Sequence, residues 1–395
     1  MTSLRLAAAQ WLLPLIAALL LGSCGGSGGV DSGGTGSPTF SSGPITGFGS
    51  VIVNGVHFDD ASARVTDADG TTRSRDDLRL GMTTEIRASA TSTDNAGNAT
   101  SVANSIVFAA DLVGPVSSVD LAAARLVVLG QQVQFNASTV FDESSLPQGA
   151  GGIIAGQTLQ VYALLDAASQ RYTATRIERA SALPAAFRLR GTVSSLDAAA
   201  RRFDVGAAHL SYASLGVTPP ALSNGAIVRL RLATTPNAGV WTVLAVDDGV
   251  ARPQDHDDVR VEGVINAFAS ATQFSVEGVA VDAARLANLP SGLGLGARVE
   301  VRGTASGTTI VATEVRLRSP QDVDEQDYEL RGAISSVDAA QATFVLRGVR
   351  VAWSLTGTEF RNGGPTNLAT GVNVEARGTL SANGTDLLAQ RITFP

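Results

Sequence analysis

The sequence predicts an all-β chain, written as five tandem small antiparallel β-barrels, and three recurring patterns carry that expectation. The first is Gly114-Pro-Val-Ser-Ser-Val-Asp120, repeated as Gly191-Thr-Val-Ser-Ser-Leu-Asp197 and Gly332-Ala-Ile-Ser-Ser-Val-Asp338. Six residues after each Asp stands a large apolar residue: Leu126, Phe203 or Phe344. The second is a glycine (Gly81, Gly156, Gly225, Gly296, Gly371) that opens an alternating run. In that run Leu159 and Val161, or Val299 and Val301, flank a polar residue such as Glu300. Strict alternation is the mark of a half-buried strand. The third closes each unit: Ala103-Asn-Ser-Ile106, Ala174-Thr-Arg-Ile177, Ala312-Thr-Glu-Val315 and Ala389-Gln-Arg-Ile392, with Val243-Leu-Ala-Val246 as the weak copy. Landmarks recurring in a fixed order mark repeated units, so the repeats define the architecture.

In chain order, residues 1–23 read as a signal peptide. Arg5 supplies the positive start, and Leu12–Leu21 is an apolar run too short to span a bilayer. The segment ends in Leu21-Gly-Ser-Cys24, which resembles the bacterial lipoprotein signal. That resemblance implies that Cys24 is lipidated and becomes the first residue of the mature chain. It also implies a membrane partner through the lipid anchor. Gly25 in place of Asp after the Cys points, by resemblance to enterobacterial lipoproteins, to the outer rather than the inner membrane. Residues 24–43 are Gly- and Ser-rich and read as a flexible tether.

Five repeats follow, at 44–108, 111–180, 187–247, 259–318 and 328–395. In the third, strands are expected at Phe187–Leu196, Phe203–Tyr212, Ile227–Leu232 and Trp241–Val246. Asp69-Gly70 and Asn383-Gly384 suit tight hairpin turns. Helical periodicity is nearly absent. Five short strands in a small unit favour closure, because closure removes exposed edges. The nearest architecture is the oligonucleotide/oligosaccharide-binding (OB) barrel. The acidic, Pro-containing linkers 247–258 and 319–327 read as solvated and extended. The expected shape is therefore an elongated string of barrels.

Taken together, Gly-x-Ile/Val-x-Ser-Val-Asp, the Phe-x-Val strand, Gly-x-x-Val-x-Val-x-Gly and the terminal Ala-x-x-Ile resemble the bacterial family called domain of unknown function 5666. The head of the first repeat, Gly47-Phe-Gly-Ser-Val-Ile-Val-Asn-Gly-Val56, resembles the first copy in such proteins. The fourth repeat departs from the pattern, with Asn266-Ala-Phe-Ala in place of Ser-Ser-Val-Asp. The resemblance implies tandem copies in an exported protein and no assigned activity.

Composition excludes several chemistries. Cys24 is the single Cys, so the chain has neither a disulfide scaffold nor a thiolate metal site. Every one of the 29 basic residues is Arg, which removes Lys as Schiff-base former or phosphate clamp. The net charge of −7 disfavours nucleic acid as a partner. The three His residues, His57, His209 and His256, fall in different regions of the chain, against a zinc site and against Ser–His–Asp catalysis. Asp67-Ala-Asp69-Gly70 opens like a calcium loop, but Leu78 occupies the position of the bidentate Glu. Neither Gly292-Leu-Gly294-Leu-Gly296 nor Gly47-Phe-Gly49 precedes a helix, so both fail as dinucleotide loops. Asp255, Asp257 and Asp258 are the only metal candidates, and weak ones beside a solvated linker. No cofactor is expected. Arginines beside the strands (Arg188/Arg190, Arg229/Arg231, Arg347/Arg350) read chiefly as cross-strand ion-pair partners.

Phe203, Phe274 and Phe344 recur at one repeat position and mark core. Tyr162, Tyr172, Tyr212, Trp241 and Trp353 do not recur and are the candidate ligand contacts. The sequence therefore favours a non-catalytic, lipid-anchored envelope protein, periplasmic or surface-facing. Its domains would offer a binding or scaffolding surface to a protein or glycan partner. Glycan binding on a barrel face is the alternative and an envelope hydrolase the remote one.

Overall fold

The computed structural model describes residues 38–319, 322 and 326–395. The signal segment, Cys24 and most of the tether lie outside these residues. In the second repeat the first strand, Leu112–Asp120, pairs antiparallel with Arg125–Val128, and that with Gln131–Gln134. The third strand lies parallel to the fifth, Arg171–Arg179. The fifth pairs antiparallel with the fourth, Thr158–Asp166, which returns to the first. This closed circuit, 1-2-3-5-4-1, is that of an OB barrel. The same circuit closes in repeat 1, repeat 3, repeat 4 and repeat 5.

The recurring residues explain why. Gly81, Gly156, Gly225, Gly296 and Gly371 all sit at positive φ, between 78° and 89°, a region that disfavours any side chain. Each donates its N–H to the carbonyl of one first-strand residue, Ile45, Val116, Val193, Ile265 or Ile334, at 2.8–2.9 Å. The glycine thereby clamps the fourth strand to the first. The Ser-Ser of the first landmark lies at a β-bulge, where the first strand gains a residue over the second. Its Asp receives the following turn N–H groups, as Asp120 does from Ala123 and Asp197 from Ala199 and Ala200. The closing Ala marks a second bulge: Thr175 is extra between Ala174 and Arg176, and Gln390 between Ala389 and Arg391. Such bulges bend and twist strands, which tight closure requires. Leu126, Phe203 and Phe344 are buried in the barrel cores.

Strands two and three join through two-residue turns. In repeats 1, 2, 4 and 5 both turn residues have positive φ: Asn54-Gly55, Leu129-Gly130, Glu277-Gly278 and Arg347-Gly348. This is the type I′ geometry that matches strand twist. The expected single strand Phe203–Tyr212 is accordingly two, Arg202–Val205 and Ala208–Ser211, broken at Gly206-Ala207.

The repeats are not strung out, and this overturns the expected elongated shape. Residues 36–395 cluster as one compact unit. Repeats 1 and 5, with Val113, Val140 and Tyr162 of repeat 2, contribute to one hydrophobic cluster, which holds Ile45, Phe48 and Phe58 together with Leu330, Ile334 and Phe344. Repeats 2 and 3 share another. The third belongs to repeat 4 but takes in Phe40, from a segment expected to be tether. The first strand begins at Thr39, pairs with the fourth strand of its own repeat, and lies parallel to Asp258–Val261 of repeat 4. Farther along, Gly47 and Phe48 pair in parallel with Glu329 and Leu330 of repeat 5. A Cβ on Gly47 would stand 2.5 Å from the Glu329 carbonyl, and one on Gly49 2.5 Å from the Arg331 Cβ. Glycine at these two places lets the first strands of repeats 1 and 5 touch. Linker 247–258 is tied down as well: Gly249 donates to Ile227 and accepts from Arg190.

A charged junction joins the middle repeats. Arg190 of repeat 3 bonds Asp111, which heads repeat 2, at 3.3 Å and Glu277 of repeat 4 at 2.9 Å, with side chains only 7%, 3% and 14% exposed. Asp111 also accepts the N–H of Ala163, and Glu277 those of Leu165 and Val264. Every charge there has a partner, the condition under which buried ions persist.

Candidate functional site

Repeat 5 docks its outer sheet face opposite strands two and three of repeat 1, and a cleft of about 790 Å³ opens between them. The repeat 1 wall comes from the first turn (Gly49, Ser50), from Ile52 and His57 on strands two and three, and from the hairpin between strands four and five. These are the surfaces on which OB barrels take oligonucleotides and oligosaccharides. The hairpin is fixed locally: Asp94 accepts the N–H groups of Ala96 and Asn98 and the Asn98 side-chain amide. Ser92 and Thr100 face each other across it, 3.0 Å apart.

The opposite wall is a charged lattice. Pleating puts Glu329 and Arg331 of the first strand on the same face as Arg377 and Glu375, their register partners on the fourth. Arg391 follows on the fifth strand, opposite Arg377, and Arg361 lies opposite Thr393. Arg377 bonds Glu329 and Glu375, each at 2.8 Å. Arg361 and Arg391 share Glu359, at 2.8 and 3.1 Å. Burial pushes the Glu329 carboxyl above its usual value against the pull of Arg377. Burial and the Arg377 charge hold the His57 imidazole below its ordinary range.

The aromatic candidates lie elsewhere, in the interior. Tyr162, Tyr172 and Tyr212 are buried. Tyr162 fills the core shared by repeats 1 and 5, Tyr172 donates its hydroxyl to the Arg190 carbonyl, and Tyr212 packs 6.1 Å from Phe203. Trp241 and Trp353 are half-buried and meet Phe187 and Phe360 edge-on, at 5.7 and 5.8 Å. These rings do not recur between repeats because each fills a place where that repeat meets its own neighbours or core. None lines the cleft. Among the acidic candidates, Asp255 accepts the N–H of Gly307, and Asp258 pairs with Thr91 and Arg260. No group of three or more His, Cys, Asp or Glu gathers in metal-holding geometry among the described residues. His209 is exposed and bonds Asp204 at 2.8 Å. His256 packs against Phe40. Of the arginines singled out, Arg188 pairs with Asp69, Arg190 lies in the junction, and Arg350 bonds Asp386 and Glu143.

The cleft arginines escaped sequence reading because Glu375-Ala-Arg377 reads as an ordinary solvated strand face. The signal that locates them is Gly47-Phe-Gly49, whose bare backbones admit repeat 5.

No curated protein matches the chain. The family model described as domain of unknown function (DUF5666) matches residues 113–178, 262–316 and 331–393. Repeats 1 and 3, outside those matches, have the same closed strand circuit. The second, fourth and fifth repeats are thus tandem copies of the DUF5666 domain.

Proposed function

We propose that the chain is a non-catalytic, lipid-anchored protein of the bacterial cell envelope that binds a glycan in the cleft between repeats 1 and 5. The observation that carries this reading is that the ligand side of the repeat 1 barrel opens into the 790 Å³ cleft. The residues shared between repeats support a non-catalytic role, since they serve turns, bulges and cores. Ser92, on the exposed lip of the cleft, is the place to block it. Ser92→Trp is expected to abolish the glycan-array signal of the folded chain while leaving its urea midpoint within error. Unchanged binding by the variant, or silence of the wild-type chain across acidic and neutral glycans, would reject the reading.

The anchor is tested separately. Cys24→Ser should stop incorporation of labelled palmitate and move the protein from the membrane to the soluble fraction. Multiple acyl chains hold firmly, at about 0.8 kcal/mol per buried CH₂. Labelling that survives the substitution would remove the anchor from the proposal.

A further inference from the structure

The donors left over in the cleft point to the chemistry of its ligand. Glu329 and Glu375 are both engaged by Arg377. Asp94 is filled by its own hairpin. The arginines are not filled in the same way. Arg331 is exposed and forms no ion pair among the described residues. Arg361 and Arg391 each spend only Nε on the shared Glu359, which leaves their Nη groups without acceptors among the described residues. A guanidinium carries five N–H donors in a planar fork that matches a carboxylate. Three such forks on one wall want anionic acceptors. The other wall presents the hydroxyls of Ser89, Ser92 and Thr100, suited to a polyhydroxylated chain, together with Asn98, whose amide already donates to Asp94, and the exposed Asp59, whose carboxylate accepts the N–H of Ala61. Among the described residues Phe48 is the one Phe, Tyr or Trp in the lining and is itself buried, so these residues offer no stacking platform for bases.

Building on the cleft reading above, we infer that the ligand is an anionic oligosaccharide whose carboxylates are held by Arg331, Arg361 and Arg391 and whose hydroxyls meet the Ser/Thr/Asn wall of repeat 1.

The test is calorimetric titration of the full folded chain with oligogalacturonate, alginate and hyaluronan fragments. The same oligomers with esterified carboxyls and a single-stranded oligonucleotide are titrated in parallel. At least one uronate is expected to bind, at least tenfold more tightly than its neutral ester, and more weakly as salt screens the exposed charges. Arg331→Gln should weaken that uronate about tenfold, Arg361→Gln with Arg391→Gln more, and Arg331→Lys less than Arg331→Gln. Ester binding equal to acid binding, still blocked by Ser92→Trp, would overturn the anionic ligand and leave the cleft reading standing. Acid binding that ignores Ser92→Trp would overturn the cleft itself. Binding of the oligonucleotide alone, or of none of these probes, would also overturn the inference.

Discussion

Arg190→Ala is expected to cost about 3–5 kcal/mol of stability, the penalty for stripping one partner from a buried charge set. The substitution removes the one cation that bonds both Asp111 and Glu277, and leaves Arg229 as the charge nearest to them. It also orphans the Gly249 carbonyl and so loosens the linker between repeats 3 and 4. Urea unfolding at pH 7 reads the loss as a fall in midpoint. The pH dependence separates electrostatics from lost packing. Burial already holds the Glu277 carboxyl above its ordinary value, and Arg190 pulls it back down. Without Arg190 the folded-state value rises further. A group raised in the folded state contributes stability below its unfolded pKa and loses it as pH rises through the folded pKa. The variant should therefore lie closest to wild type in acid and fall away as pH climbs above the usual carboxylate range. A gap independent of pH would mean that packing, not charge, explains the loss. Arg190→Met combined with Asp111→Asn and Glu277→Gln should recover much of it, since neutral replacement of a whole buried set is often tolerated.

The repeat landmarks were legible in sequence because they encode local backbone events. A glycine at positive φ, a bulge and an Asp that closes a turn each act within a few residues, so the pattern Gly-x-x-Ser-Ser-x-Asp already contains the strand-one geometry. The barrel followed from five such events in a fixed order. Relations between repeats were not legible. Glu277 occupies a turn position where a polar surface residue is unremarkable, and only the arrival of Arg190 from another repeat makes it a junction. Tyr172 and Tyr162 looked free to meet a ligand because they do not recur, yet each serves a contact unique to its repeat. Phe40 looked like tether because Ser41-Ser-Gly follows it, but its ring completes the core of repeat 4. The cleft arises from the same non-local packing, so its residues carried no motif.

Removing repeat 5 by ending the chain at residue 327 is expected to unfold repeat 1 as well, although the two lie at opposite ends of the sequence. Their hydrophobic residues belong to one cluster, which loses Leu330, Ile334 and Phe344 together. The parallel pairing of Gly47 and Phe48 with repeat 5 is lost too, which leaves that end of the first strand an unpaired edge while Thr39–Ser42 keep their pairing with repeat 4. Repeat 3 keeps its neighbours, because its core is shared with repeat 2. Hydrogen exchange should then show residues 45–60 exchanging like an unstructured segment while residues 187–212 remain protected. Equal protection of 45–60 in the full and shortened chains would mean that repeat 1 stands alone. A milder version isolates the docking contact. Gly47→Val drives a side chain into the Glu329 carbonyl, and overpacking of this kind costs about 1–3 kcal/mol. That cost falls on the interface and on Ile52 of the repeat 1 barrel, whose Cδ1 would stand 2.7 Å from the new Cβ. The variant should lose protection first where the two first strands meet, and with it the cleft that their contact creates.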